Sequence, residues 1–438
     1  MQLPAAFISQ TKALLGKEWE AFEQALRCEP PTSIRWNPQK TNANRLPPTV
    51  FEPESPVAWA SNAYYLRRRP RFTLDPLFHA GCYYVQEASS MFLEYFITKY
   101  VLEAAVTLDL CAAPGGKSTH LSAMLPEGSL LVANETVRPR AAILLENLIK
   151  WGNPHTVVTN ASAAEVGKLK AFFDVIVCDL PCSGEGMFRK DPVAIAEWSE
   201  RNVECCAGRQ RQIIADVLPA LKPGGLLIYS TCTYNREENE DNVDHICQDF
   251  GAELLEPPRR FMPHKTKGEG FFIAALRRSG EPERPPDAAP RRMETTLTLP
   301  FSQWLSAPGE YVFFSENNAA LAFPATRYRE YLYLKKSLRM LSAGVALGEI
   351  KGKDAIPNHA LAMSTALSET AFPRWELNRD AALKYLRKEP LRDIPTALPS
   401  GFVAVTYQNH PLGFVKNIWS RANNLYPQAW RVRMMVND

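Results

Sequence analysis

The chain has 438 residues, of which 46% are hydrophobic and 22% charged, and its formal net charge is +3. That length calls for two or three domains with cores of their own, and the composition excludes a largely disordered chain. The small net charge does not establish a polyanionic partner, but its distribution is uneven. Residues 331–438 carry 15 Lys+Arg against 8 Asp+Glu. A basic tail on a near-neutral body suits contact with a phosphate backbone, or is simply a solvated surface.

The nine cysteines are odd in number and scattered, which argues for reduced thiols in a cytosolic compartment. None sits in the paired CxxC spacing of a structural zinc site, so no metal is expected. The start, Met1 to Phe7, lacks a basic n-region and an export-length apolar core, and no apolar run approaches a membrane span. The expectation is a soluble, cytoplasmic, monomeric protein with no membrane partner.

In chain order, residues 1–78 read as a small N-terminal α+β domain. A helical pattern from Phe7 to Leu26 runs into Pro30-Pro31-Thr32-Ser33-Ile34-Arg35-Trp36-Asn37-Pro38, whose prolines break a helix. The cluster Arg67-Arg68-Arg69-Pro70-Arg71 follows Tyr64-Tyr65, a mixture that suits RNA backbone and base stacking or a solvated loop.

Across residues 79–278 strands and helices alternate. Val106–Leu110, Leu130–Glu135, Thr156–Thr159, Val175–Cys178, Leu226–Tyr229 and Phe271–Leu276 read as strands, with helices at Lys117–Leu125 and Arg138–Lys150. This spacing predicts an α/β domain with a doubly wound, mostly parallel sheet. Residues 279–292, with four prolines among charges, read as a linker. In the remaining region, 293–438, Gly401–Tyr407 and Leu412–Lys416 suggest a hairpin joined by residues 408–411, within a small β domain.

The first chemical motif is Asp109-Leu110-Cys111-Ala112-Ala113-Pro114-Gly115-Gly116-Lys117-Ser118, a strand end, a turn of small residues and a helix start. Its backbone N–H groups and positive helix end suit a carboxylate or phosphate. A phosphate-binding P-loop is excluded, because the glycine it needs falls at Cys111. The dinucleotide pattern Gly-x-Gly-x-x-Gly is absent as well. Glu135 ends the second strand 19 residues after Gly116, where an acid commonly accepts hydrogen bonds from ribose hydroxyls. Two further motifs, Asp179-Leu180-Pro181-Cys182-Ser183-Gly184 and Ser230-Thr231-Cys232-Thr233-Tyr234, each follow an apolar strand. Two thiols at the carboxyl ends of parallel strands suggest a nucleophile with a second sulfur helper. The other cysteines, Cys28, Cys82, Cys178, Cys205, Cys206 and Cys247, are expected to be packing.

These residues resemble the NOL1/NOP2/Sun family of RNA cytosine-5 methyltransferases. The likeness is carried by the Cys111–Lys117 turn, the Asp179–Gly184 and Ser230–Thr233 motifs, Tyr83–Ser90, Gly184–Asp191 and Tyr234–Asn242. The last three are similar to the bacterial 16S ribosomal RNA branch, as is the PUA-like look of the tail. The resemblance implies a Rossmann-like methyltransferase fold using S-adenosyl-L-methionine, an RNA substrate, and flanking domains that position it. It also implies nucleophilic attack by Cys232 and adduct release by Cys182. Lys117 would supply positive charge, and Asp179 would meet the cofactor's amino group or the cytosine edge. Cys111, Ala112, Ala113, Pro114, Gly115, Gly116, Lys117, Glu135 and Asp179 are then the expected cofactor residues. The chain departs from the family at Thr159-Asn160-Ala161-Ser162-Ala163, which lacks the usual acid near the adenine. Ser162 or Asn160 is the expected substitute. DNA cytosine methylation is disfavoured because it has no need of Cys232. A transfer RNA substrate and a ribosome-assembly factor that retains the fold are the alternatives.

Overall fold

The computed structural model describes residues 2–42, 49–280, 300–316 and 318–434. At its centre is a Rossmann-like sheet. Its strands are β1 (Val106–Asp109), β2 (Leu130–Asn134), β3 (Thr156–Thr159), β4 (Phe173–Asp179), β5 (Leu221–Thr231) and β6 (Phe271–Arg277). Their order is β6-β5-β4-β1-β2-β3. The first five strands pair in parallel and β6 runs antiparallel to β5. Strands β1, β2 and β3 are buried along their whole length, as a sheet covered on both faces requires. The order reverses between β1 and β4, so the turns after these strands diverge and open a crevice at their carboxyl ends. Helix α1 (Gly116–Met124) follows β1, α2 (Arg138–Trp151) follows β2, and α3 (Glu200–Val217) precedes β5.

Three smaller four-stranded sheets surround this body. The first is antiparallel, in the order 53–56, 63–66, 32–36, 83–85. It therefore runs past residue 78 and takes in Tyr83–Val85. The second, antiparallel, joins 311–316, 319–324, 345–351 and 354–357. The tail sheet has the order 374–376, 401–407, 410–417, 422–424. The first and tail sheets share one apolar core, in which Trp36, Leu77 and Tyr83 meet Trp375, Tyr385 and Val403.

Several expectations need correction. The N-terminal helical pattern breaks at Gly16, whose φ of +54° ends Ala5–Leu15 before Trp19–Leu26 begins. The tail hairpin turns on Gln408-Asn409 alone, both at positive φ, so its second strand starts at His410. Met340–Ala343 adds an antiparallel strand beside β3, a pairing that no local pattern announced. The proline-rich linker expected at 279–292 lies, from residue 281 onward, outside the described residues.

Candidate active site

The turn after β1 is built to approach a ligand closely. Gly115 has φ +116°, a conformation that strains any residue with a Cβ, and it opens α1. Arg140 Nη2 donates to Ala113 O at 2.9 Å and Asn147 Nδ2 to Pro114 O at 2.8 Å, which fastens the turn to α2. Asp109 is fully buried, and its Oδ2 accepts from Ser118 Oγ at 2.6 Å. Its Oδ1 is buried with no donor. Burial, opposed by the Ser118 hydrogen bond and by Lys117, pushes the Asp109 carboxyl up to about 7.

Glu135 shows the same pattern. It is 3% exposed, and its Oε1 accepts from Val137 N at 2.9 Å. Its Oε2 has no hydrogen-bond donor, with Arg140 Nη2 at 3.6 Å. Leaving a buried acceptor unpaired costs about 1–3 kcal/mol, so such atoms point to a missing partner. Two of them beside a helix N-terminus fit a ligand with hydroxyl or ammonium donors and a carboxylate, which S-adenosyl-L-methionine has.

The cysteines lie across the crevice. Strands β4 and β5 are in parallel register, with Asp179 opposite Ser230. Their extensions bring Cys182 Sγ to 3.2 Å from Cys232 Sγ, and both residues are half-buried. Lys117 Nζ meets Asp179 Oδ2 at 2.8 Å, and Ser230 Oγ donates to Asp179 Oδ1 at 2.8 Å. The lysine also lies 5.0 Å from the Phe271 ring centre. Burial works against its charge, but Asp179, Asp109 and Cys232 more than offset this and raise its pKa. The Cys182 thiol is pushed well above its ordinary range by its contact with Cys232, then by burial and by Glu238. Either sulfur can be the donor in their contact.

A frame of buried polar groups holds both thiol loops. Glu185, 2% exposed, accepts at Oε2 from Thr233 Oγ1 (2.7 Å), Tyr234 N (2.7 Å) and Asn235 N (2.9 Å). At Oε1 it accepts from Trp198 Nε1 at 3.0 Å and Asn235 Nδ2 at 3.1 Å. Glu238 receives Ser183 N (3.0 Å), Gln210 Nε2 (2.8 Å) and Asn235 Nδ2 (2.8 Å). Gly186 N donates to Cys232 O at 2.9 Å. A Cβ on Gly186 would fall 2.8 Å from that oxygen and 2.5 Å from Gly270 O, so only glycine fits.

Of the expected residues, Cys111–Lys117, Glu135, Asp179, Cys182 and Cys232 line one rim. Ser162, expected near the adenine, has a role within the fold. It caps the helix Ala163–Gly167 in a reciprocal box with Glu165, which occupies both its N–H and its hydroxyl. Asn160 Nδ2 is likewise spent on the Glu135 and Thr136 carbonyls. Packing does not explain Cys28 and Cys205, which are exposed. Glu185 and Glu238 were missed. For Glu185 the available signal was an acid between two glycines beside a thiol motif, but an acid ordinarily reads as solvated, as Glu238 in its run of acids does.

Comparison with known proteins identifies the family and its domains. A family model described as 16S rRNA methyltransferase RsmB/F matches residues 100–277. The N-terminal domain of 16S rRNA methyltransferase RsmF matches residues 3–88, and the methyltransferase RsmF PUA domain matches residues 372–432. The ribosomal RNA small subunit methyltransferase F of Erwinia tasmaniensis is 30% identical over 97% of this chain and 96% of its own. The protein of that name from Shewanella loihica is 31% identical over 85% of this chain and 83% of its own. A solved methyltransferase homologue from Pyrococcus horikoshii is 27% identical with a TM-score of 0.54, covering 62% of this chain and 94% of that one. Relatives 30% and 31% identical over most of both chains mean that the chain belongs to the ribosomal RNA small subunit methyltransferase F family.

Proposed function

We propose that the chain methylates C5 of a cytosine in 16S ribosomal RNA through a transient thioether on Cys232. C5 is a weak nucleophile because it belongs to an aromatic ring. Addition of the Cys232 thiolate to C6 forms an S–C6 bond and makes C5 enamine-like. When bound, S-adenosyl-L-methionine supplies an electrophilic methyl group on a sulfonium for that carbon. The backbone of Cys111, Ala112, Ala113, Pro114, Gly115 and Gly116 would hold the cofactor, Glu135 would take its ribose hydroxyls, and Asp179 would meet its amino group or the cytosine edge. Lys117 pairs with Asp179 and adds positive charge beside the thiolate.

The methylated adduct still carries a proton at C5. Cys182, once its own proton has passed to solvent, takes the C5 proton as its thiolate, the S–C6 bond breaks, and the electron pair returns to Cys232 as thiolate. A thiolate at Cys182 costs less at this stage, because the Cys232 sulfur is bound to carbon and no longer faces it with charge. The target base must leave its stack to reach the crevice.

The observation that carries this reading is the 3.2 Å separation of two half-buried sulfurs on adjacent strand ends. One sulfur can form an adduct and the other can resolve it without any large movement. Bisulfite sequencing of 16S ribosomal RNA from cells with and without the gene tests the activity. A protected cytosine should lose protection in the deletion. An unchanged protection pattern would contradict the proposal.

A further inference from the structure

We propose that a cleft beside the cysteine rim carries the phosphate backbone of the RNA strand flanking the target cytosine. The proposal rests on the RNA-methylating reading and adds the path that the substrate takes. One wall is the end of the strand Ala63–Leu66, which runs into Arg67, Arg68 and Arg69. Lys190 and Lys267 also line the cleft, and Glu29 and Glu54 are the acids within it.

The charges here are poorly satisfied by the protein. All three arginines are exposed. Arg67 has only Glu52 at 3.7 Å, with both side chains more than two-thirds exposed, a geometry worth little in water. Arg68 has no ion-pair partner among the described residues, and Arg69 lies 5.6 Å from the Phe72 ring centre. Lys267 takes Glu54 at 2.5 Å. Lys190 reaches Glu269 at 3.4 Å, but that carboxylate already holds Arg189 at 2.8 Å. Three consecutive exposed arginines in one cleft with Lys190 and Lys267 make a locally positive surface that suits a polyanion.

The cleft is also joined to the reaction centre. Arg189 Nη2 donates to Gly268 O at 2.6 Å, which ties the loop after Cys182 to the loop before β6. Two residues on, Gly270 packs against Gly186, whose N–H holds Cys232 O. A strand lying along the arginines would thus deliver its next nucleotides to the cysteines. Pro30, Pro31 and Pro263 line the cleft and stiffen its walls.

The test is the triple variant Arg67→Gln/Arg68→Gln/Arg69→Gln, with Lys190→Gln as a second, independent variant. Binding of a single-stranded 16S ribosomal RNA transcript is measured across a salt series, alongside methyl transfer to a short cytosine oligoribonucleotide that cannot reach the cleft. Each phosphate contact on a single strand contributes about −0.7 to the slope of log affinity against log salt, so the triple variant should be shallower by about 2. Lys190→Gln should flatten the slope by about 0.7. Methylation of the short oligonucleotide should be unchanged in both. Unchanged slopes in folded variants, or an equal loss with the short oligonucleotide, would overturn the proposal. Because binding needs no methyl transfer, failure of the cysteine chemistry would leave this result readable.

Discussion

The two halves of the reactive rim are built in opposite ways. On the cysteine side the framing carboxylates are saturated, since Glu185 accepts from Thr233, Tyr234, Asn235 and Trp198. On the cofactor side Asp109 Oδ1 and Glu135 Oε2 are buried with no donor. The protein thus fixes its thiol loops with its own hydrogen bonds and leaves unfilled acceptors on the other half. Fixed geometry suits covalent chemistry, where a small misplacement of the attacking atom costs rate, while unfilled acceptors give a ligand something to satisfy.

The contrast can be broken first at Glu185. Glu185→Gln replaces a buried acceptor with an amide facing donors, so stability should fall by about 3–5 kcal/mol and turnover should drop with it. Urea midpoints and initial rates measure this, and an unchanged KM for S-adenosyl-L-methionine would keep the effect on the cysteine side. Asp109 gives the next largest effect, with a definite sign. Its carboxyl is raised to about 7 from 3.8, so the folded state holds its proton more tightly and the ligand-free protein loses stability as pH rises between these values. Asp109→Asn should remove that loss and stabilise the ligand-free protein at pH 8 relative to pH 5 by about 3 kcal/mol, read from urea midpoints at the two pH values.

Glu135→Gln tests the unfilled acceptor directly. Losing a charged hydrogen bond of about 1.5–3 kcal/mol should raise the cofactor KM roughly tenfold to a hundredfold, with kcat little changed in steady-state assays. The smallest effect is at Ser162. Ser162→Ala should cost about 1 kcal/mol of stability by thermal or urea unfolding, through loss of the helix cap, and leave the cofactor KM alone. A raised KM would restore it as a cofactor contact.

The central sheet was legible because its code is local. Apolar runs end at Asp109 and Asp179, and the chemistry follows each within a few residues, so the thiols and the glycine turn could be read without knowing their neighbours. What escaped was coded at long range. Met340–Ala343 joins β3 from beyond the sheet, and its strand is half-buried, which leaves no strong pattern. The first and tail sheets bury Trp36 against the same core as Trp375, a union that no window of sequence displays. Glu185 reads as an ordinary surface acid until five donors converge on it. The role of Ser162 within the fold was not read, although a capping box, Ser162 with Glu165, claims the hydroxyl.

The separation of roles between the two thiols is the claim on which the account stands, and one gel settles it. Cys182→Ala and Cys182→Ala/Cys232→Ala are incubated with S-adenosyl-L-methionine and 16S ribosomal RNA, then run under denaturing conditions. The account predicts a slow protein–RNA species that accumulates with Cys182→Ala and vanishes in the double variant. Adducts that persist without Cys232, or full turnover with no adduct in Cys182→Ala, would contradict it.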